Sequence, residues 1–161
     1  MRVPIWLYRW GLNHWPCIWF TGVKVTHLSE DFTHLRTRLK LTWRTRNIVG
    51  TLFGGSLYSS TDPFFMLMLM KILGHDYIVW DKACTIRFKK PAKQTVFADF
   101  RITPEMVRDL KAQVAQHGYT NVTWPLQYKS PDGTVFAEFE KVLYVSTKES
   151  YKRRQQDKAR V

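Results

Sequence analysis

The sequence predicts an α+β fold in which an antiparallel sheet of about six strands curls around a long central helix. The apolar block from Pro63 to Met70 has no polar face, as expected for a helix surrounded on all sides. Eight apolar residues are too few to cross a bilayer, so this helix belongs at the centre of a fold. On both sides of it, segments of period-two alternation occur in pairs joined by short turns, which is typical of an antiparallel sheet.

Composition indicates one globular domain with a hydrophobic core. The 161 residues are too few for two ordinary domains, and an apolar fraction of 45% argues against disorder. The two cysteines, Cys17 and Cys84, give neither metal-ligand spacing nor a disulfide framework, and they fit a reducing, cytoplasmic setting. The tryptophan-rich N-terminus carries basic and polar residues and lacks the cleavage site of a signal peptide.

The net charge of +12 is unevenly distributed. Six basic and two acidic residues in 148–161 give this basic tail a charge of +4, which leaves +8 for the rest of the chain. The pattern divides the chain into an N-terminal aromatic helical segment (1–20), a main domain (21–147) and the tail. A basic surface suits an anionic partner, namely nucleic acid, an anionic membrane or a phosphate-bearing ligand.

The N-terminal segment has a helical pattern that is expected to break at Gly11 and Pro16. It could pack against the main domain, which is the preferred interpretation. It could also anchor at a membrane surface, because Trp and Tyr favour the headgroup region. After Thr21 the pattern alternates, which predicts two strands around 23–27 and 35–41 joined near Ser29–Asp31.

The second half of the chain predicts four more strands and one helix. Pro104 in a first turn and Gly118 just past a last turn bound this helix. The sequence Ser130-Pro-Asp-Gly133 predicts a hairpin turn. In chain order, the predicted elements are strands 77–90 and 95–102, helix 104–117, and strands 119–129 and 134–146.

A motif before the central helix resembles one in a known family. The pattern is Asn47-x-x-Gly50-x-x-Phe53-Gly54-Gly55, followed by Asp62 seven residues after the second glycine. It resembles the hot-dog-fold acyl-CoA thioesterases of the phenylacetic-acid type, which carry His-Gly-Gly and an aspartate at this spacing. The strand that runs from residue 83 to 91 also resembles theirs. The similarity is closest to a branch with Phe in the histidine place, covers about residues 21–147 and implies a hot-dog fold.

The resemblance implies hydrolysis of a thioester of coenzyme A or an acyl carrier protein. Asp62 matches the catalytic carboxylate, which acts as nucleophile or as general base on water. The amides of Gly54 and Gly55 would polarise the carbonyl from a helix N-terminus, and Asn47 would orient the water or the thioester. No metal or redox cofactor is implied. Abundant apolar side chains near the motif favour a medium or long acyl chain.

Further substrate contacts are expected beside the motif and at the end of the following strand. Thr51 and Phe53 flank the approach to the glycines. Arg87, Lys89 and Lys90 could bind the phosphates of coenzyme A, although a solvated strand end is the more ordinary interpretation. Since Phe53 cannot form the hydrogen bond that histidine forms, the polar network of the better-known members is not expected here.

The mechanism also predicts a shared site. Gly54 and Asp62 are eight residues apart, about 12 Å along a continuous helix, whereas one scissile carbonyl must lie about 3 Å from both groups. Two protomers with antiparallel central helices satisfy this requirement. The sequence therefore predicts a homodimer, or a dimer of dimers, with sites between protomers.

Other interpretations remain open. Asp62 could be only the N-cap of a helix that begins at Pro63, or the helix could begin near Gly54 and kink at Pro63. The protein could bind acyl chains without cleaving them. It could also be a basic module for membranes or nucleic acid. No nucleic-acid-binding motif is present, and any membrane contact would be peripheral.

Overall fold

The structure, a computed structural model, describes residues 3–158. The first two residues of the predicted N-terminal segment and the last three of the predicted basic tail lie outside the described residues. The described part forms six helices and six strands. In chain order these are α1 (Ile5–His14), α2 (Pro16–Thr21), β1 (Val23–Leu28), β2 (His34–Leu39), α3 (Gly54–Ser59), α4 (Phe64–Leu73), β3 (Tyr77–Phe88), β4 (Val96–Arg101), α5 (Pro104–His117), β5 (Tyr119–Lys129), β6 (Val135–Thr147) and α6 (Lys148–Lys158).

The strands form one antiparallel sheet in the order β1-β2-β4-β5-β6-β3. The predicted six-stranded α+β architecture is confirmed. Local signals account for its boundaries: Thr103 caps α5, accepting from the Met106 N–H at 3.3 Å, and Gly118 ends the helix at a φ of 76°. The turn at residues 130–133 joins β5 to β6, with the Gly133 N–H bonded to the Ser130 carbonyl.

The two edges of the sheet differ. Helix α1 lies along β1, and the Asn13 amide completes the edge by donating to the Val25 carbonyl at 3.0 Å and accepting from the Val25 N–H at 2.8 Å. Strand β3 forms the other edge, and within the described residues no strand pairs with its outer side. Unpaired edges of this length are available for pairing with another chain.

The central segment contains two helices. Helix α3 begins at Gly54 and α4 begins after Pro63, with a break at residues 60–63. Proline has no N–H and disrupts a continuous helix, and the preceding Asp62 N–H instead bonds to the Ser59 carbonyl at 3.3 Å. The break is fixed to the sheet by the Ser60 hydroxyl, which lies 2.7 Å from the Tyr128 hydroxyl. The predicted start near Gly54 is therefore present, and the helix predicted from Pro63 begins one residue later, at Phe64, with Pro63 as its N-cap.

Helix α4 is buried on one side only. Phe65 packs edge-on against Phe100 and Trp124, and Phe64, Met68 and Leu69 are also buried in the core. Met70, however, is 48% exposed. The expectation that protein surrounds this helix on all sides is not met within the single chain.

The N-terminal segment packs on the domain as two helices. Helix α1 continues through Gly11, so the predicted break there is wrong, and the chain turns instead at Trp15 before Pro16. A glycine with open space around it is tolerated inside a helix that tertiary packing holds in place. Ile5, Tyr8 and Leu12 contact the core. None of the described helices is long and apolar enough to span a bilayer.

The described part of the tail is helical, and one side of it contacts the sheet. The Arg154 guanidinium lies 3.7 Å from the centre of the Tyr119 ring and donates to the Tyr144 hydroxyl at 3.3 Å. Contact with the sheet therefore leaves only the opposite side of α6 open to solvent.

Candidate functional site

Asp62 lies in the break between α3 and α4 with an accessible carboxylate. Its side chain is 60% exposed. The N-cap of α4 is Pro63, and no side chain caps this helix, so Asp62 does not serve as the cap that the sequence allowed. The carboxylate therefore does not cap a helix and is accessible beside the break.

A buried lysine, which the sequence analysis did not single out, holds Asp62 from inside the fold. The Lys141 ammonium, 2% exposed, donates to the Asp62 carbonyl at 3.2 Å and lies 3.5 Å from Asp62 Oδ1. It also lies 3.0 Å from Asp81 Oδ1. A buried ammonium requires such partners because its desolvation is costly. Lys141 thus links the break to strands β6 and β3.

A β-bulge in β3 places two further groups beside Lys141. Asp81 is opposite Leu143 and Ala83 is opposite Val142, so one extra residue lies between them. Because side chains alternate along a strand, this bulge turns both Asp81 and Cys84 toward the face that carries Lys141.

Burial and the lysine charge act in opposite directions on these groups. Burial raises the pKa of the Asp81 carboxyl, and the nearby Lys141 ammonium partly offsets that rise. Burial also raises the pKa of the Cys84 thiol, again against the effect of Lys141. The cluster of Asp62, Lys141, Asp81 and Cys84 is therefore electrostatically coupled.

The N-terminus of α3 offers backbone donors. The first bond into this helix runs from the Leu57 N–H to the Phe53 carbonyl at 3.1 Å. The N–H groups of Gly54, Gly55 and Ser56 have no acceptor among the described residues. They are the donors that the sequence analysis assigned to carbonyl polarisation.

Aromatic rings cover both glycines of the motif. A Cβ on Gly54 would lie 2.9 Å from Phe88 Cζ, and one on Gly55 would overlap the Phe53 ring. Ring packing is thus a reason for glycine here besides the close approach of a ligand. Phe53 and Phe88 are both more than half exposed, so the rings can move.

Asn47 and Thr51 bond to each other. Asn47 Nδ2 donates to Thr51 Oγ1 at 2.8 Å, and the Thr51 N–H donates to Asn47 Oδ1 at 3.0 Å. Both ends of the Asn47 amide therefore hold the loop that leads to α3. Thr51 is buried.

The predicted phosphate-binding residues lie at the end of β3, on either side of Phe88. Arg87, Lys89 and Lys90 are exposed, and Lys89 Nζ lies 3.5 Å from Glu138 Oε2. Because the Phe88 ring covers Gly54, the fold brings this basic run to the N-terminus of α3. Asp62 lies beyond the other end of α3, whose six residues span about 9 Å.

A cavity of about 340 Å³ opens beside Asp62. Helix α2 forms one wall and the α3–α4 break forms the other, and most of the lining is apolar. Its volume lies at the small end of the range for ligand sites. The lining residues are Cys17, Ile18, Thr21, Val23, Tyr58, Ser59, Asp62, Pro63 and Phe64.

The lysine was detectable in the sequence. In β6 the inward positions alternate as Ala137, Phe139, Lys141, Leu143 and Val145, so a charged residue interrupts an apolar series. Such a residue indicates a buried charge with partners. The role of α2 as a cavity wall had no such signal. No group of three or more His, Cys, Asp or Glu side chains in residues 3–158 is arranged to bind a metal ion.

Residues 6–145 match the family described as "Domain of unknown function (DUF4442)". None of the curated proteins matches this chain. Among solved structures, a Pseudomonas aeruginosa protein of unknown function named as a probable thioesterase has a TM-score of 0.78 and 21% identity, covering 91% of this chain and 98% of that one.

Two further structures share the fold. The Haemophilus influenzae thioesterase HI1161 has a TM-score of 0.65 and 12% identity, covering 91% of this chain and 93% of its own. The phenylacetic acid degradation protein PaaI of Thermus thermophilus, as a mutant, has a TM-score of 0.54 and 17% identity, covering 80% and 97%. The hot-dog fold expected from the motif is confirmed.

Proposed function

Since this chain belongs to the DUF4442 family and has the hot-dog fold, we propose that it hydrolyses thioesters of coenzyme A or of an acyl carrier protein. The observation that carries the proposal is Asp62. Its carboxylate is exposed to a mostly apolar cavity while a buried lysine fixes its backbone and lies near one of its oxygens. A polar group that faces a mostly apolar pocket is a functional-site candidate.

Two chemical routes fit this carboxylate. As general base, Asp62 takes a proton from water while the oxygen of that water bonds to the thioester carbon. As nucleophile, it forms an anhydride that water then hydrolyses. In both routes the carbon–sulfur bond breaks, the thiol leaves with a proton, and the developing oxyanion needs N–H donors. Gly54 and Gly55 supply these donors in the proposal.

The proposed site lies between two protomers. The donors are at one end of α3 and Asp62 is beyond the other, so one thioester carbonyl would meet donors from one chain and Asp62 from its partner. Two features support a homodimer: the open outer edge of β3, and the half-exposed Met70 on the uncovered side of α4. A dimer of dimers would repeat the same pair.

The surroundings of the two ends of α3 support a class of substrate. The cavity lined by Ile18, Tyr58 and Phe64 suits a medium or long acyl chain, and the basic run at Arg87, Lys89 and Lys90 suits the phosphates of coenzyme A. We expect Asn47 and Thr51 to act by holding the loop before Phe53. The free thiols of Cys17 and Cys84 suit a cytoplasmic setting.

A second candidate function is acyl binding without hydrolysis. The specific observation that favours it is the occupied Asn47 amide, both ends of which bond to Thr51. With Phe53 in the place of histidine, the polar network around a reacting thioester is reduced to the α3 donors. A weak or absent chemical step would then leave a cavity that only binds.

The test is thiol release from a panel of acyl-CoAs, from short to long, by the wild type and by Asp62→Asn. Loss of general-base catalysis costs about 10²–10⁴-fold. Asp109→Asn on α5 is the matched control, because this aspartate is exposed and does not line the cavity beside Asp62. Equal turnover by wild type and Asp62→Asn would refute the proposed role. Acyl-CoA binding without turnover by the wild type would establish the second function.

A further inference from the structure

Helix α2 has two different sides. Cys17, Ile18 and Thr21 line the cavity beside Asp62. Trp19 and Phe20 point away from the core, and Phe20 is 75% exposed. Trp43, on the loop after β2, is 83% exposed. Large aromatic side chains at such exposure mark an interaction surface when they are grouped.

Basic side chains lie beside Trp19 and Trp43. The Arg44 guanidinium lies 4.7 Å from the centre of the Trp19 ring and donates to the Trp19 carbonyl at 3.4 Å. Beside them, a depression of about 400 Å³ is lined by Gly22, Lys24, Arg38, Lys40, Thr42, Trp43 and Arg44. Four of these seven residues are basic and none is acidic. We call Trp19, Phe20, Trp43, Lys24, Arg38, Lys40 and Arg44 the α2 surface.

The cations of the α2 surface lack anionic partners. Lys24 and Arg38 are opposite each other in the β1–β2 ladder, where like charges repel. None of the four forms an ion pair with another described residue. Arg38 Nε is buried and has no hydrogen-bond partner among the described residues. An external anion such as a phosphate group would relieve this repulsion and supply the missing partner.

Charge and shape favour a lipid surface over the other occupants. A second copy of this surface would bring four cations against four, which is unfavourable. Nucleic acid stacks on aromatic rings, but here the chain before α2 also exposes aliphatic and aromatic residues at Val3, Trp6, Leu7 and Trp10. Aliphatic side chains beside Trp and basic residues are typical of proteins that lie on membranes.

We propose that the α2 surface docks the protein on anionic phospholipid membranes, with Trp19, Phe20 and Trp43 at the headgroup level and the cations on lipid phosphates. The binding energy combines apolar burial with attraction to the anionic leaflet. If the proposed thioesterase function holds, the opposite side of α2 forms a wall of the acyl cavity, so docking brings the cavity next to the membrane.

The test is flotation of the purified full chain with vesicles of phosphatidylcholine alone and with vesicles that also contain phosphatidylglycerol. We expect the wild type to float only with the anionic vesicles and less at high salt. Lys40→Gln/Arg44→Gln removes two cations and should weaken binding about 30-fold. Phe20→Ser/Trp43→Ser should weaken binding at both low and high salt. Arg108→Gln/Lys111→Gln on α5, with the same change in net charge, should bind like the wild type.

Five outcomes would overturn the proposal. The first two are binding of the wild type that ignores lipid charge and equal losses in the Lys40/Arg44 and Arg108/Lys111 variants. The next two are an oligomer that dissociates only in the α2-surface variants and tighter binding of a single-stranded oligonucleotide than of vesicles. The fifth is full displacement by inorganic phosphate, which would assign the site to a soluble anion. Acyl-CoA hydrolysis without vesicles is measured in parallel. The α2-surface variants should retain it and Asp62→Asn should still float, so docking and catalysis can fail separately.

Discussion

Lys141 Nζ lies 3.0 Å from Asp81 Oδ1, an ion pair in which the lysine is buried and the aspartate is 20% exposed. Both partners project from the inner face of the sheet, where apolar side chains otherwise meet α4. Their attraction offsets the cost of burying the charges only while both are present. The pair also supports Asp62, whose carbonyl accepts a hydrogen bond from the same ammonium.

Removal of Lys141 alone should destabilise the fold strongly. A buried pair that loses one partner costs about 3–5 kcal/mol, and we expect the lower end for Lys141→Met because Asp81 retains some solvent. Lys141→Met/Asp81→Asn should recover part of this loss in urea unfolding. Lys111→Met, at an exposed position on α5, is the control and should change stability by less than about 0.5 kcal/mol. Additive effects of the two substitutions would show that the pair is not coupled.

The same substitution should make stability depend on pH in a defined direction. Burial raises the folded-state pKa of Asp81 above its ordinary value of 3.8, and loss of the Lys141 charge should raise it further. Between the unfolded and folded pKa values the folded state then binds more protons, so stability falls as pH rises through this window. Unfolding at a series of pH values from 4 upward (roughly the ordinary carboxyl range) should show a steeper fall for Lys141→Met than for the wild type. Parallel curves of stability against pH for the two proteins would contradict the proposed effect of Lys141 on the pKa of Asp81.

Much of the fold follows from local sequence signals. Alternation placed all six strands, and Pro104 and Gly118 bounded α5 where the structure has it. The motif correctly indicated the hot-dog fold.

What the sequence did not reveal depends on tertiary contacts. Pro63 marked an interruption of the central helix, but the contact that holds the α3–α4 break to the sheet, a hydrogen bond between Ser60 and Tyr128, joins residues 68 apart and had no local signal. The turn of Asp81 and Cys84 toward Lys141 depends on a bulge in β3, which no turn residue marks. The continuity of α1 through Gly11 likewise comes from packing on β1, including the Asn13 bonds to Val25.

Two glycines should respond differently to alanine. At Gly54 the new methyl group meets the half-exposed Phe88 ring, which can rotate, so stability should change by less than about 1 kcal/mol while acyl-CoA turnover falls as access to the α3 donors narrows. Gly118→Ala is the contrast, because a φ of 76° disfavours alanine by about 1–2 kcal/mol. It should lower stability without lowering turnover per folded molecule. Full activity in Gly54→Ala would argue against these donors.

Cys17 provides a probe of the acyl cavity. It is exposed and lines the cavity with Asp62, whereas burial raises the pKa of the Cys84 thiol and slows its reaction near neutral pH. N-ethylmaleimide should therefore modify Cys17 first and block turnover in Cys84→Ser. In Asp62→Asn/Cys84→Ser, a long-chain acyl-CoA should slow the labelling and coenzyme A alone should not. Cys17→Ser should be resistant to N-ethylmaleimide. Labelling of Cys17 at equal rates with and without acyl-CoA would show that the acyl chain does not occupy this cavity.

The hydroxyl of Tyr128 should stabilise the break that carries Asp62. Burial raises the pKa of Tyr128 to about 12, so its hydroxyl stays protonated and bonded to Ser60 at 2.7 Å. Tyr128→Phe should cost about 1–2 kcal/mol, limited because Ser60 Oγ still donates to the Leu57 carbonyl at 3.1 Å. Ser60→Ala in the Tyr128→Phe background should cost less than in the wild type, whereas Tyr119→Phe, at a partly exposed ring, should be nearly neutral. Equal costs of Ser60→Ala in both backgrounds, measured by urea unfolding, would show that this bond does not fix the break.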